Sequence, residues 1–349
     1  MAGVKRSGSR VVGGDRCPGV LRPHLAADGA MVRVRVPGGQ TTGAALGQLS
    51  AIAERHGRGL IQLTSRGSVQ IRGLPAELPD GVATDVARAG FLPSVEHERV
   101  RNIAASPLTG LSGGRADLRP MISDLDRAII ADPDLAELPG RFLFVLDDGR
   151  GDVAALSFDI AYRAWGPDAG EVMMGARRWS TTTRDAVPRM IDLAGEFLAE
   201  RGTAWRVREL APTTEPSPSP ALTTPLGAID GHASVAAPLG HLTPTQVRAV
   251  RHVSGGGPIV ITPWRGLIMP GAAGQLDRLA AAGLVIDDDS AWKLVTACVG
   301  APWCASGRAD TQAWATALAA EGTSARTHLS GCERRCGAPA APHLDLVAP

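Results

Sequence analysis

The spacing of hydrophobic residues changes twice within residues 31–73. The run MVRVRV at 31–36 alternates apolar and polar positions, a pattern that predicts a half-buried strand. Two glycines and a threonine that can cap a helix then precede an amphipathic stretch with helical spacing. The sequence LTSRGSVQIRG at 63–73 closes the segment and predicts two short strands joined by a turn.

The same order of features returns in the rear part of the chain. Residues 232–271 again contain a strand-like run, a Gly and a Thr, an amphipathic stretch and two strands around a turn with the letters RG. Beyond these units, residues 82–111 parallel residues 275–307, since both have a helix ending in Ala-Gly, then a strand, a bend and a proline. The alternative is chance similarity in an Ala- and Gly-rich chain. The kept order predicts a pseudo-symmetric duplication of long units.

The segment APTTEPSPSPALTTP at 211–225 separates the two copies. It is rich in Pro, Ser and Thr and has almost nothing to bury, which predicts an extended linker.

Composition excludes several classes of protein. The chain has 349 residues with a net charge of +1, so no electrostatic signature indicates a nucleic-acid or anionic-membrane partner. No apolar run is long enough for a membrane span, and no apolar core follows the basic N-terminus as in a signal peptide. We therefore expect a cytoplasmic protein of several domains whose cysteines stay reduced.

Four of the five cysteines lie in two tight pairs near the C-terminus. Cys298 and Cys304 are separated by five residues that include a proline, which fits poorly to the short knuckles of zinc sites. Cys332 and Cys336 are separated by three residues, and glycines flank both pairs. Four thiolates from two loops can hold a 4Fe–4S cluster. The spacing favours that cluster and leaves zinc and unrelated thiols as alternatives; Cys17 is interpreted as a packed side chain.

At this point the residues resemble a known group of proteins. The sequence ACVGAPWC followed by SGCERRC is similar to the cluster signature of the sirohaem-dependent nitrite and sulfite reductase superfamily. In that superfamily the four cysteines bind one 4Fe–4S cluster, and the last of them, here Cys336, also bridges to the tetrapyrrole iron. The sequences LTSRGSVQIRG and ERVRNI resemble its two arginine motifs, which implies that Arg66 and Arg101 face a tetrapyrrole.

The resemblance implies an α+β fold built as a pseudo-two-fold duplication. It contains two ferredoxin-like half-domains and two α/β domains, of which the second is truncated. The boundaries it implies are a flexible N-terminus at 1–12, half-domain 1 at 13–75, α/β domain 1 at 76–210, the linker at 211–225, half-domain 2 at 226–290 and a cluster-binding α/β domain 2 at 291–349.

Several segments are similar to the precorrin-3B synthase family within this superfamily. They include CPGVLRPHLAADGAMVRVRVPGG at 17–39 and LPGRFLFVLDDGRGD at 138–152. The assimilatory reductases carry two basic residues in the latter segment, whereas this chain has Arg141 and then Leu143. The resemblance implies O2-dependent hydroxylation of precorrin-3A at C20 with γ-lactone formation, in aerobic cobalamin biosynthesis. A sirohaem-dependent nitrite or sulfite reductase, with bound sirohaem, and a non-catalytic metal-binding module are the alternatives.

The family also implies site residues, cofactors and partners. Arg66, Arg101, Asn102 and Arg141 are expected to bind the carboxylate-rich tetrapyrrole, because the guanidinium fork pairs with carboxylates. Arg72 and Arg99 are expected to face solvent, as is the turn around His97. A 4Fe–4S cluster and a non-haem iron are the expected cofactors. No histidine pair shows ligand spacing, so we name no ligands for that iron. Electrons are expected from an external reductase or ferredoxin that uses NAD(P)H.

Overall fold

The computed structural model describes residue 15 and residues 17–210, 223–339 and 341–349. The predicted flexible segment 1–12 and most of the predicted linker lie outside the described residues. In the front part, the elements are β1 (His24–Ala26), β2 (Gly29–Val34), β3 (Gln40–Thr42), α1 (Gly43–His56), β4 (Ile61–Leu63), β5 (Val69–Leu74) and α2 (Val82–Arg88).

A five-stranded α/β unit follows. Its elements are β6 (Ile103–Ala105), α3 (Arg119–Ala131), β7 (Phe144–Asp147), β8 (Ile160–Ala164), β9 (Ala169–Met174), β10 (Arg177–Thr182) and α4 (Thr183–Glu200). The strands run in the order β10-β9-β8-β7-β6, with β6, β7 and β8 parallel. Both long helices supply apolar side chains to the core on one face of this sheet.

The rear part repeats the front part element by element. It contains β11 (Gly227–Ile229), β12 (His232–Ala236), β13 (His241–Leu242), α5 (Pro244–Val253), β14 (Pro258–Ile261), β15 (Gly266–Met269) and α6 (Leu276–Ala281). Both copies place a threonine at the N-cap of the first helix, Thr42 before α1 and Thr243 before α5. The predicted duplication is therefore confirmed.

The two half-domains exchange a strand. One sheet has the order β1-β2-β5-β4-β13 and the other has the order β11-β12-β15-β14-β3, so each sheet ends in a short strand from the other copy. His241 pairs with Gln62 at one exchange, and Thr42 pairs with Pro258 at the other. One continuous hydrophobic core lies beneath both sheets. Neither half-domain thus completes its sheet alone.

The symmetry is closest in two turns, the one between β4 and β5 and the one between β14 and β15. Thr64 Oγ1 accepts from the backbone N–H of Ser68, and Thr262 Oγ1 accepts from that of Gly266. This register aligns Gly67, with φ of 69°, with Arg265, with φ of 61°. The two RG dipeptides are therefore offset by one residue, and the rear turn places a non-glycine residue in the left-handed region.

The last domain is smaller than the first α/β unit, as predicted. Its elements are β16 (Val295–Ala297), α7 (Thr311–Glu321), β17 (Thr327–Ser330) and β18 (Leu344–Val347). The three strands are parallel in the order β16-β17-β18, and α7 packs on one face. Across the described ranges of the chain, no helix is both long and apolar enough to cross a membrane.

Candidate functional site

A row of polar side chains crosses the front sheet on the face opposite its core. Arg33 pairs with Gln70, Gln70 with Gln62, and Gln62 with His241, so the row spans four strands. Their neighbours along each strand point the other way, into the hydrophobic core; these are Val32, Val34, Val69, Ile71, Ile61, Leu63 and Leu242. The row was missed in the sequence, although the alternation of MVRVRV already placed Arg33 and Arg35 on one face.

Arg66 lies at one end of this face, in the turn between β4 and β5. Its Nη1 donates to the backbone oxygen of Arg141 at 3.1 Å, so two of the predicted tetrapyrrole ligands are brought together. Burial, and then the nearby cations Arg206 and Arg33, lower the pKa of Arg66 to about 10. The side chain therefore remains cationic at neutral pH in surroundings that would gain from an anion.

Arg35 is the most deeply buried of the arginines near Arg66. Its side chain is 2% exposed, and neither Nη1 nor Nη2 has a hydrogen-bond partner among the described residues. Burial, followed by the positive charge of Arg33, lowers its pKa to about 9. Although Arg35 Nε donates to the backbone oxygen of Arg99 at 3.3 Å, two buried guanidinium nitrogens without acceptors are costly, so this part of the site would gain from an anion.

Cys17 lies among these arginines and is buried, as the sequence suggested. Burial and then the charge of Asp15 raise the pKa of its thiol, while Arg141 acts in the opposite direction. The guanidinium of Arg141 lies 5.9 Å from the ring centre of Trp205, which helps to orient it. We refer to Arg33, Arg35, Arg66 and Arg141 below as the arginine group.

Arg101 and Asn102 are held by hydrogen bonds within the protein. Arg101 Nε and Nη2 donate to the two carboxylate oxygens of Asp126, both at 2.7 Å, and its side chain is 5% exposed. Asn102 Nδ2 donates to the backbone oxygens of Arg99 and Gly140 at 2.9 and 3.1 Å. Both side chains thus close the loop that leads into β6.

Three side chains that were expected to face solvent do not. Arg72 donates from Nε and Nη2 to Asp28 at 2.8 and 2.7 Å, and Arg99 forms an ion pair with Asp15 at 3.1 Å. His97 is 5% exposed, with ring nitrogens 2.8 Å from Ser94 Oγ and 3.0 Å from the oxygen of Asp132. These expectations were wrong because each residue meets its partner through tertiary packing. For both arginines and for the second nitrogen of His97, that partner is distant in the sequence.

The structure places the four C-terminal cysteines in neighbouring loops of the last domain. Cys298 follows β16 and the second pair follows β17, so both pairs lie at the carboxyl edge of neighbouring parallel strands. The backbone N–H of Gly331 donates to Cys298 Sγ at 3.1 Å. Burial and then the charges of the other three cysteines raise the pKa of the Cys336 thiol. Neighbouring thiols repel one another when ionised, and a bound metal would remove that repulsion.

Glycines lie where the two cysteine loops approach each other. A Cβ atom on Gly331 would lie 3.4 Å from the Cα atoms of both Gly300 and Gly307, and one on Gly300 would overlap Thr311 Oγ1. Thr311 Oγ1 in turn donates to the backbone oxygen of Cys298 at 2.7 Å. A side chain on Gly300 would displace Thr311, whereas one on Gly331 would make ordinary contacts, so the packing role belongs to Gly300.

The donors that the two cysteine loops offer are thiols, which suit a cluster or a zinc ion. Among the residues with assigned positions, no group of three or more His, Cys, Asp or Glu side chains converges as the ligands of one metal ion must. The thiolates of a 4Fe–4S cluster each bind a different iron, so they surround the cluster and need not meet at a point. The four cysteines therefore have the right donor chemistry for a 4Fe–4S cluster.

His241 joins the polar row to the cysteine domain. Its Nδ1 lies 3.1 Å from Oε1 of Gln312 on α7, whose first residue is Thr311. Nε2 is buried without a partner in the described part of the chain. Burial and then three nearby arginines lower the pKa of His241 to about 4, so the ring is neutral at pH 7. The face between the arginine group and the cysteines is thus lined by hydrogen-bonding side chains.

Comparison with known proteins agrees with this architecture. Residues 23–86 match the family described as the nitrite/sulfite reductase ferredoxin-like half domain. A precorrin-3B synthase of Sinorhizobium sp is 28% identical over 372 aligned positions, which cover 95% of this chain and 80% of that protein. A ferredoxin–nitrite reductase of Synechococcus elongatus is 30% identical over 171 positions, or 45% of this chain and 33% of that protein.

A solved structure extends the similarity to the whole fold. The NirA protein of Mycobacterium tuberculosis superimposes with a TM-score of 0.59 at 19% sequence identity, over 87% of this chain and 68% of that one. The exchanged half-domain sheets, the family match in the front half-domain and this structural likeness agree. Residues 23–86 thus match the ferredoxin-like half domain of nitrite and sulfite reductases, and the chain as a whole shares the fold of the NirA protein.

Proposed function

We propose that this protein is a precorrin-3B synthase, an oxidoreductase of aerobic cobalamin biosynthesis. It would use O2 and reducing equivalents to hydroxylate precorrin-3A at C20 and form the γ-lactone. The observation that carries the proposal is the near end-to-end similarity to a precorrin-3B synthase, over 95% of this chain and 80% of the relative. The nitrite reductase, by contrast, aligns over only 33% of its own length.

The arginine group supports a tetrapyrrole substrate rich in carboxylates. Arg35 and Arg66 are desolvated cations without paired carboxylates in the described part of the chain, and Arg33 and Arg141 lie beside them. Each could donate a fork of hydrogen bonds to a peripheral carboxylate, and such bonds are strong because both groups are charged. In this proposal the arginine group anchors the rim of the macrocycle, and the row from Arg33 to His241 faces its ring.

Arg101 and Asn102 have a different role in this proposal. Because Asp126 already occupies the Arg101 fork, a substrate carboxylate would have to displace an internal ion pair to bind there. Asn102 is similarly engaged with two backbone oxygens. We assign both residues to shaping the loop next to Gly140 and Arg141, and we keep Arg66 and Arg141 as substrate ligands.

Cys298, Cys304, Cys332 and Cys336 would hold the 4Fe–4S cluster, which supplies electrons one at a time. The N–H of Gly331 would stabilise the sulfur of Cys298, and Thr311 would hold the backbone oxygen of the same residue. A non-haem iron for O2 chemistry is part of the proposal, without assigned ligands. Electrons would come from an external NAD(P)H-dependent reductase or ferredoxin.

The test is O2 uptake by the purified protein with precorrin-3A and a reductant. The expected result is consumption of O2 and a lactone product with the hydroxyl at C20, together with about four iron atoms per chain for the cluster. No O2 uptake by protein that holds its cluster would refute the synthase. Strong absorption bands of bound sirohaem would instead support a nitrite or sulfite reductase, and zinc without iron would support a metal-binding module.

A further inference from the structure

Arg58 is a buried cation from the front half-domain that the proposed reaction does not use. It follows Gly57 at the end of α1, and its backbone N–H donates to the oxygen of Arg72 at 3.3 Å. The aliphatic part of its side chain lies across β5 at Gly73, where a Cβ atom would overlap Arg58 Cγ. The sheet therefore accommodates Arg58 because residue 73 has no side chain.

The ion pairs around Arg58 leave one positive charge uncompensated. Asp28 accepts two short hydrogen bonds from Arg72, whereas the Arg58 Nη1 atom is 3.9 Å from the same carboxylate. The side chains of Arg58 and Asp28 are each 4% exposed, and Arg58 Nε has no partner among the described residues. Two cations thus share one anion where water screens poorly, so a second anion is expected nearby.

The neighbour that can supply this anion is the loop of Cys304. Ala305 N donates to the oxygen of Ala27 at 3.0 Å, which fixes the loop against the β1–β2 hairpin. The guanidinium carbon of Arg58 lies 5.5 Å from the ring centre of Trp303. Cys304 stands between these two contacts in the sequence, and its thiolate opposes the effect of burial on the pKa of Arg58.

We propose that Arg58 is the counter-charge of Cys304 and raises the reduction potential of the cluster that the four cysteines hold. The reason is electrostatic: a reduced cluster carries one more negative charge than an oxidised one, so a fixed cation beside it stabilises the reduced form. Arg58 is in this sense a positioning and tuning residue from another domain. The inference rests on the proposed cluster, although it does not depend on which substrate is oxidised.

The test is a redox titration of the cluster-loaded protein with dithionite, followed by electron paramagnetic resonance. Arg58→Gln should lower the midpoint potential, and Arg58→Lys should keep it nearer the wild-type value because the charge remains. Arg55→Gln is the matched control, since Arg55 is on the same helix end but is exposed and pairs with Asp85. Its potential should be unchanged. Iron and sulfide per chain are measured for every variant.

Asp28→Asn provides a test of opposite sign. It removes the carboxylate that partly neutralises Arg58, so the midpoint potential should rise. Loss of iron from Arg58→Gln but not from Arg58→Lys would also support a charge role. Equal potentials in the wild type, Arg58→Gln and Asp28→Asn at full iron content would overturn the inference, as would loss of iron from both Arg58 variants. A wild-type protein without a cluster would instead refute the proposed cofactor itself.

Discussion

Arg66 and Arg101 come from matched sequence motifs, yet the structure predicts opposite consequences when each is removed. Arg101→Ala leaves Asp126 without its partner beside a buried cavity. Breaking a buried ion pair costs about 3–5 kcal/mol. Because the Asp126 side chain is 18% exposed, water can partly solvate it, so we expect the lower end, about 3 kcal/mol. Arg66 has no carboxylate partner among the described residues, so Arg66→Ala should leave stability within about 1 kcal/mol of the wild type.

Substrate affinity should show the reverse order. A hydrogen bond to a charged group contributes about 1.5–3 kcal/mol, so Arg66→Ala should weaken tetrapyrrole binding by roughly 10- to 100-fold. Arg101→Ala should change the affinity of the folded fraction by less than about threefold. Binding can be followed through quenching of tryptophan fluorescence, and stability through urea unfolding.

The double variant Arg101→Ala/Asp126→Ala serves as the control. It removes both charges, so it should recover part of the stability lost in the single variant. A stable Arg101→Ala protein with affinity lowered as far as in Arg66→Ala would refute this reasoning, because the Asp126 pair would then open to admit substrate.

Three further predictions concern the cysteines, a buried carboxyl and the strand exchange. Cys336→Ser should lower iron and sulfide content with little change in far-ultraviolet circular dichroism; full iron content would contradict the cluster assignment. Burial raises the pKa of Asp152 to about 6, so the folded chain binds more protons and stability should fall as pH rises from about 4 to 6. Asp152→Asn should flatten that dependence and add roughly 1–2 kcal/mol to the free energy of unfolding at pH 7.5, measured by urea unfolding. An unchanged pH profile would show that Asp152 does not cause the dependence. Gly39→Ala would overlap the backbone oxygen of Ile261, so its melting temperature should fall well below that of Gly59→Ala, which has a similar φ but open space. Equal melting temperatures of the two variants would show that the strand exchange tolerates a side chain at residue 39.

Much of the fold could be predicted because its signals are local. The alternation of MVRVRV, the threonine before each first helix and the Thr-containing turn act over a few residues, and the threonine cap and the turn recur in both copies. Duplication followed from their order. The exchange of β3 and β13 could not be seen in this way, because pairing between strands so far apart in the chain leaves no local pattern.

In the candidate site too, local features were predictable from the sequence and tertiary contacts were not. The cysteine pairs were visible as a spacing, and the glycines in their loops were visible as neighbours in the sequence. The roles of the arginines were not visible. Arg66 and Arg101 occupy similar motifs, but of the two only Arg101 meets a carboxylate among the residues with assigned positions, 25 residues further along the chain.

By itself, the sequence determined the periodicities, the caps, the duplicated order of elements and the four thiols that can share a cluster. Tertiary structure alone decided which charges are neutralised. Asp126 forms an ion pair with Arg101, so Arg101 is not free to bind a ligand. Asp28 lies closer to Arg72 than to Arg58, and no carboxylate pairs with Arg35 among the described residues. The physical reason is that the energy of a charge depends on its distance to others and on its burial, and both are set by the folded chain.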